Sequence, residues 1–244
     1  MAEPESQAVS PGAPPVSPEA IASPAELARY IDHTLLKPDA TGEEIARLAR
    51  EALKYGFAGV CVNSAHVETA ARIVAGTTTV AVAVVGFPFG AVLPSAKAFE
   101  ASEAVRCGAR EIDMVINIGA LKAKDYARVL EDIAAVVESA SPFPVKVILE
   151  TSELSTDQKI AGCVLAKAAG AAFVKTSTGF SRGGATAEDV SLMRRIVGDE
   201  VGVKASGGIR SAEDAVRMLR AGASRLGTSA SVAIVTEGSG ERKS

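Results

Sequence analysis

Short apolar runs alternate with helix-like segments along most of this chain. Several runs are nearly continuous in Val and Ile, which is typical of strands covered on both faces. The segments between them repeat apolar residues with the helical period, as from Ile45 to Leu53. The apolar runs of strand length are Tyr30–Leu35, Gly59–Val62, Val80–Phe87, Glu111–Ile116, Val145–Glu150, Phe173–Thr176, Gly202–Ala205 and Arg225–Gly227. Eight alternations predict a single α/β domain, a (β/α)8 barrel of the TIM-barrel type.

Hydroxyl residues mark several of the helix starts. Thr41 with Glu44, and Ser155 with Gln158, have the spacing of capping boxes.

The alternative architecture is an open doubly wound sheet. A dinucleotide-binding sheet of that kind would carry GxGxxG after its first strand, whereas LLKPDATG stands there. We therefore favour the barrel.

Composition predicts unstructured ends for the chain and argues against some classes of partner. Residues 1–20 are rich in Pro, Ser, Ala and Glu, which predicts a disordered tail, and residues 237–244 predict a flexible C-terminus. The barrel domain is expected over residues 21–236. The net charge of −3 argues against nucleic acid, and no apolar run has membrane-spanning length. We expect a cytoplasmic protein without a leader, acting on a small molecule as a homodimer or higher homo-oligomer.

Metal and thiol chemistry find little support. The chain has three widely spaced cysteines, no CxxC pair and only two histidines, so we expect no metal site. Cys61 has no evident base beside it and is expected in the core. His33 is likewise expected to be a core residue. Phe87 and Phe89, in the run VVGFPFG, are expected to pack in a rigid turn.

Two neighbouring strands each carry a lysine in mid-run. Lys175 lies in FVKTSTGF and Lys204 in VGVKASGG, one βα unit further on. Lysine is almost never fully buried without a partner, so two such residues call for a shared explanation. A nearby like charge and partial desolvation both favour a neutral amine, which Schiff-base chemistry requires. We hypothesise that one lysine is an amine nucleophile and the other the cation that keeps it unprotonated.

Charged residues on the adjacent strands could join these lysines. Asp113 lies on the fourth strand and Lys146 on the fifth, and neighbouring strands lie ~4.8 Å apart. Lys146 is expected to contact substrate, but it could equally be an ion-pair partner of Asp113 or Glu150. Asn117 lies four residues after Asp113, and Glu150 lies four residues after Lys146. Because side chains alternate along a strand, the two members of each pair can face the same side. On the first strand, Asp32 and Thr34 alternate onto one face and could contact substrate hydroxyls.

Small residues follow three consecutive strands. Barrels often bind phosphate with the loops after strands seven and eight, where glycine lets backbone N–H groups approach an anion. The residues expected at this site, with a further wall after strand six, are Thr178, Gly179, Gly207, Gly208, Gly227 and Ser229. Together they predict a phosphorylated small molecule as the ligand.

Several motifs taken together resemble one family, deoxyribose-phosphate aldolase. They are IDHTLLKP, VVGFPFG, EIDMVINIGAL, VKVILE, FVKTSTGF, VKASGGIR and RLGTS, spread from about residue 31 to 231. The resemblance implies a TIM barrel that uses no cofactor and interconverts 2-deoxy-D-ribose 5-phosphate with acetaldehyde and D-glyceraldehyde 3-phosphate, in deoxyribose phosphate catabolism. It also implies that Lys175 forms the Schiff base, that Lys204 perturbs it, and that Asp113 works with water in proton transfer.

Two features depart from the family pattern. The family often has a second serine after Ser229, where this chain has Ala230, and some members end in a tyrosine, whereas none follows Tyr126 here. Two other functions stay open. One is a Schiff-base barrel aldolase that takes a keto acid or dihydroxyacetone donor; the other is a sugar-phosphate sensor that binds without turnover.

Overall fold

The computed structural model describes residue 21 and residues 23–237. The predicted tails lie outside these residues, apart from Glu237. Within them, eight parallel strands close into a barrel in sequence order, so the predicted (β/α)8 fold is confirmed. The strands are β1 Ile31–Leu35, β2 Gly59–Asn63, β3 Val80–Val85, β4 Glu111–Val115, β5 Val145–Ile148, β6 Phe173–Lys175, β7 Gly202–Ser206 and β8 Arg225–Thr228.

Helices follow the strands and cover the outside of the barrel. Both predicted capping boxes are formed: Thr41 caps the helix that contains Glu44, and Ser155 caps the helix that contains Gln158. The α-helices are α1 Gly42–Tyr55, α2 Val67–Val74, α3 Pro94–Arg106, α4 Ile118–Lys122, α5 Tyr126–Ala140, α6 Thr156–Ala168, α7 Ala187–Val197, α8 Ala212–Arg220 and α9 Ser231–Thr236. None of the helices in this described part is long and apolar enough to cross a bilayer.

Two strands end two residues earlier than predicted, and β4 and β6 end one residue earlier. β3 ends at Val85 because Gly86 takes a left-handed φ of 60°, which turns the chain out of the sheet. β5 ends at Ile148, and Glu150 beyond it has φ 59°. In the turn after β3, Phe87 packs as expected, with its ring centroid 5.3 Å from that of Phe180, but Phe89 is 77% exposed, contrary to expectation.

Glycines inside the barrel make room for charged side chains. A Cβ at Gly227 on β8 would lie 3.0 Å from Cε of Lys204. A Cβ at Gly59 on β2 would lie 2.8 Å from Oδ1 of Asp32. One part of the interior is apolar, where Cys61 lies in a small buried cluster with Val82 and Val84. The barrel therefore admits long charged side chains that a uniformly apolar filling would exclude.

A buried ion pair outside the barrel holds the end of β4. Lys97 on α3 donates to the carbonyl of Val115 at 2.9 Å and pairs with Asp132 on α5 at 2.5 Å. Both side chains are fully buried. Burial lowers the pKa of Lys97 and raises that of Asp132, with their mutual contact opposing both shifts. The pair fixes the strand that carries Asp113 against two helices.

We predict that Gly90→Ala destabilises the protein by more than about 2 kcal/mol. Gly90 has φ 68°, and a Cβ there would lie 2.0 Å from the carbonyl oxygen of Ile116. Gly76→Ala is the matched control, since Gly76 has φ 74° and nothing within 4 Å of the added Cβ. It should cost only about 1 kcal/mol of backbone strain. Urea unfolding measures both, and equal losses would show that the contact with Ile116 does not matter.

Candidate active site

A cavity of about 460 Å³ opens at the C-terminal ends of the strands. Most of the predicted ligand-binding residues line it. They are Thr34, Lys175, Thr178, Gly179, Gly207, Gly208, Gly227 and Ser229. The structure adds Lys37, Phe180 and Arg210, which the sequence reasoning missed. Lys37 lies within IDHTLLKP and Arg210 ends VKASGGIR, so their position in the loops after the strands was the available signal.

Lys175 and Lys204 lie side by side and share one carboxylate oxygen. They are paired in register across β6 and β7. The Nζ atom of each lies 2.8 Å from Oδ2 of Asp113. Lys175 is 3% exposed and lines the cavity, whereas Lys204 is fully buried beneath it. The structure therefore brings the three predicted catalytic residues together, with one amine facing the open space.

A second layer of charges lies deeper in the barrel. Lys146 on β5 contacts Oδ1 of Asp113 at 2.8 Å and also pairs with Glu111. Arg225 on β8 contacts Asp32 at 2.7 Å and Glu111 at 3.2 Å. Sequence reasoning did not place Glu111 or Arg225 in the site. The signal was present, because each lies two residues before an inward-facing position on its own strand.

The electrostatic field of this cluster keeps Asp113 and Lys204 ionised. Burial by itself would raise the pKa of Asp113, but Lys146, Lys175 and Lys204 together hold it well below its usual range. Burial would likewise lower the pKa of Lys204, yet Asp113 and Asp32 raise it above its ordinary value. Lys204 is therefore an ammonium ion at neutral pH, as its predicted role as the fixed cation requires.

Two residues predicted to contact substrate lie below the cavity instead of on its wall. Asp32 and Lys146 are both fully buried, and neither lines the cavity. Asp32 pairs with Lys204, and its pKa is lowered because Arg225, Lys204 and Lys146 outweigh the effect of burial. Both side chains are thus occupied by ion pairs inside the barrel.

Asn117 and Glu150, which share the predicted spacing, also have other partners. Oδ1 of Asn117 accepts a hydrogen bond from the backbone of Ala120 at 3.0 Å and caps α4. Glu150 accepts a hydrogen bond from the hydroxyl of Thr178. Its positive φ turns the chain away from the β5 direction. Glu150 therefore supports the loop after β6, whose Thr178 lines the cavity.

The loop after β7 has the shape of an anion site. Gly207 and Gly208 have consecutive positive φ values of 86° and 79°. Gly184 packs against this turn so closely that a Cβ there would lie 2.3 Å from the carbonyl oxygen of Gly207. Because the turn has no side chains, its backbone can come close to a bound oxyanion. Arg210 and Lys37 add positive charge at the cavity mouth.

Cys61 and His33 are core residues, as expected. Cys61 is fully buried, and burial raises the pKa of its thiol. His33 is 3% exposed and hydrogen-bonds Glu51 at 2.9 Å, and burial lowers its pKa. Within the described residues, no group of three or more His, Cys, Asp or Glu side chains is arranged to hold a metal ion.

Comparisons with known proteins agree with this geometry. A deoxyribose-phosphate aldolase of Macrococcus caseolyticus is 56% identical over 209 residues, covering 86% of this chain and 95% of that one. A crystal structure described as a putative deoxyribose-phosphate aldolase from Coccidioides immitis has TM-score 0.85 at 49% identity, covering 87% and 85% of the two chains. The deoxyribose phosphate aldolase of Aeropyrum pernix, described as a unique tetrameric structure, has TM-score 0.84 at 32% identity, covering 91% and 94%.

The family assignment rests on nearly the whole barrel. The model of the DeoC/LacD aldolase family matches residues 27–235, which span all eight strands. The resemblance inferred from the sequence motifs is thereby confirmed, together with the class of enzyme. This chain belongs to the DeoC/LacD family of aldolases, which are lyases.

Proposed function

We propose that the protein reversibly cleaves 2-deoxy-D-ribose 5-phosphate to acetaldehyde and D-glyceraldehyde 3-phosphate through a Schiff base on Lys175. The observation that carries the proposal is the position of this amine. It opens to the cavity while sharing one oxygen of Asp113 with the buried Lys204. The names of the relatives support the substrate.

The chemistry follows from an amine beside a fixed cation and a carboxylate. The neutral Lys175 amine attacks C1 of the open-chain aldehyde, and loss of water gives an iminium ion. That ion accepts the electron pair of the C2–C3 bond, which breaks as the C3 hydroxyl loses its proton. Asp113, through a water molecule and with help from Lys204, carries the proton. The enamine is then protonated at C2 and hydrolysed to acetaldehyde. The iminium is itself the electron sink, so the mechanism needs neither metal nor organic cofactor.

The glycine turns and nearby hydroxyls are proposed to hold the phosphate. Gly207, Gly208, Ser229, Thr178 and Gly179 all line the cavity. Anchoring the phosphate fixes C1 close to Lys175 through every step. Ala230 offers no hydroxyl here, so Ser229 is the serine side chain that this segment supplies to the cavity.

We predict that Lys175→Met lowers kcat for 2-deoxyribose 5-phosphate by on the order of 10⁴-fold or more, because the nucleophile is lost. Borohydride added with acetaldehyde should attach an ethyl group to Lys175 of the unmodified protein, located by peptide mass spectrometry. Lys159→Met, at a lysine that pairs with Asp189 at 2.6 Å, is the control and should keep full activity. Labelling at Lys204 alone, or turnover by folded Lys175→Met, would refute the assignment.

Asp32 and Lys146 are proposed to support the amines from below. Asp32 bridges Lys204 and Arg225, and Lys146 bridges Asp113 and Glu111. Each therefore gives two buried neighbours one of their opposite charges. Their contribution is to the position of the site and to the stability of the barrel.

We predict that Asp32→Asn lowers the free energy of unfolding by about 3 kcal/mol at pH 7, because Lys204 and Arg225 each lose one of their two carboxylates. Since the folded-state pKa of Asp32 is depressed, its contribution is present above the ordinary carboxylate pKa of about 4 and is lost as the pH falls below it. Urea unfolding between about pH 2.5 and 7 should therefore show a shallower acid loss in the variant.

The control for this measurement is Glu138→Gln, since Glu138 is exposed on α5. It should leave both the stability at pH 7 and the acid loss close to those of the unmodified protein. An Asp32→Asn protein with the same acid loss as the control would contradict the supporting role.

We also propose that the protein assembles with copies of itself through the surface around the start of α3. Phe89, Leu93 and Phe99 are 77%, 66% and 68% exposed there, and Val92 is 43% exposed. Exposed apolar residues this large and this close in sequence are typical of interaction surfaces. The tetrameric relative from Aeropyrum pernix supports a homo-oligomer.

We predict that Phe99→Glu reduces the native mass of the protein in light scattering, because it buries a charge in the contact. Val164→Glu, at a 51% exposed position on α6, is the matched control and should leave the mass unchanged. A monomeric unmodified protein, or dissociation by Val164→Glu alone, would rule out this surface as the contact.

For the cell, we propose that the reaction serves the breakdown of deoxyribose phosphates in the cytoplasm. The substrate's charged phosphate keeps it in the compartment where it is formed. Cell fractionation that finds the activity outside the cytoplasm would contradict this location.

A further inference from the structure

Three carboxylates and three cations form a closed ring inside the barrel. Lys204 pairs with Asp113 at 2.8 Å and with Asp32. Arg225 links Asp32 at 2.7 Å to Glu111 at 3.2 Å. Lys146 completes the ring by joining Glu111 to Asp113, the latter at 2.8 Å. Each cation of the ring therefore lies between two carboxylates, and each carboxylate between two cations.

Lys175 is attached to this ring from the cavity side. Its Nζ lies 2.8 Å from Oδ2 of Asp113, the same oxygen that Lys204 contacts. With all seven groups ionised, the cluster would hold four positive and three negative charges. The ring alone is neutral, since it holds three of each sign. The unmatched positive charge is removed when Lys175, the member that reaches the cavity, is a neutral amine.

The other groups around Lys175 leave this balance unchanged. On β2, Cys61 is a neutral thiol, because burial raises its pKa. On β3, the buried inner residues are Val82 and Val84. Lys37 and Arg210, in the loops after β1 and β7, are exposed at the cavity mouth and therefore screened by solvent.

We propose that Arg225 and Glu111, remote from the cavity, set the protonation state of Lys175 by closing a neutral ring of charge beneath it. The inference rests on the proposed function of Lys175 as a nucleophile. Neither Arg225 nor Glu111 lines the cavity, and Glu111 is 1% exposed. They are positioning residues that act on Lys175 through Asp32, Asp113, Lys146 and Lys204. In the closed ring every carboxylate lies between two cations, so no negative charge is left unmatched to retain a proton on Lys175.

The proposal makes opposite predictions for two changes at the closed end of the barrel. Arg225→Gln removes a cation, so the ring gains a net negative charge that retains a proton on Lys175. Glu111→Gln removes a carboxylate, so the cluster carries a larger positive excess and Lys175 loses its proton more readily. A structural defect alone would lower activity in both variants. It would not shift the pH at which Lys175 loses its proton in opposite directions.

The experiment measures how fast Lys175 reacts with formaldehyde and cyanoborohydride as a function of pH. Only the neutral amine reacts, and peptide mass spectrometry reports the extent of methylation at Lys175. Relative to the unmodified protein, the pH midpoint of Lys175 methylation should rise in Arg225→Gln and fall in Glu111→Gln, each by on the order of one pH unit. Arg225→Lys keeps the charge and should leave the midpoint in place, and the surface variant Arg217→Gln should do the same.

The outcomes separate this inference from the proposed function. Opposite shifts support the ring even if the protein fails to cleave 2-deoxyribose 5-phosphate, since formaldehyde is not a substrate analogue of the sugar. Cleavage without opposite shifts overturns the ring and leaves the function standing. If Arg225→Gln does not fold, Lys146→Met removes a cation from the same ring and must give the same upward shift. Failure of Lys175 to react at any pH contradicts both.

Discussion

The structure of the site depends on the carboxylate of Asp113, which three amines share at 2.8 Å. A buried charge costs several kcal/mol unless it is paired, and Asp113 pairs with three buried lysines at once. The same carboxylate brings Lys175 and Lys204 to a common oxygen. It therefore determines both the stability of the interior and the distance between the proposed nucleophile and its fixed cation.

The barrel supplies what this arrangement needs. Closure places β1 beside β8, so that Asp32 and Arg225, far apart in sequence, meet inside it. Gly227 leaves the space that Lys204 fills, and the ion pair of Lys97 with Asp132 holds the end of β4 from outside. Because the strands end at one rim, the loops after them form the cavity above the charged layers. The same contacts thus stabilise the barrel and position the proposed catalytic side chains.

Much of the fold and part of the site could be predicted from sequence. A lysine in the middle of an apolar strand has few structural explanations. Lys175 and Lys204 can therefore be identified as candidate site residues once their strands are recognised. Alternation along a strand gives the face of a residue but not its depth, and Asp32 was therefore placed at the substrate instead of beneath it. Arg225 was missed because a charged residue at a strand start usually faces solvent. The turn at Glu150 depends on a positive φ that its residue type does not indicate.

The most direct test is a crystal structure of the protein reduced with borohydride in the presence of 2-deoxyribose 5-phosphate. We predict continuous density from Nζ of Lys175 to C1 of the sugar, with the phosphate against Gly207 and Gly208 and with Lys204 still on Asp113. An adduct on Lys204, or Lys175 turned away from Asp113 with no adduct in the cavity, would contradict the account.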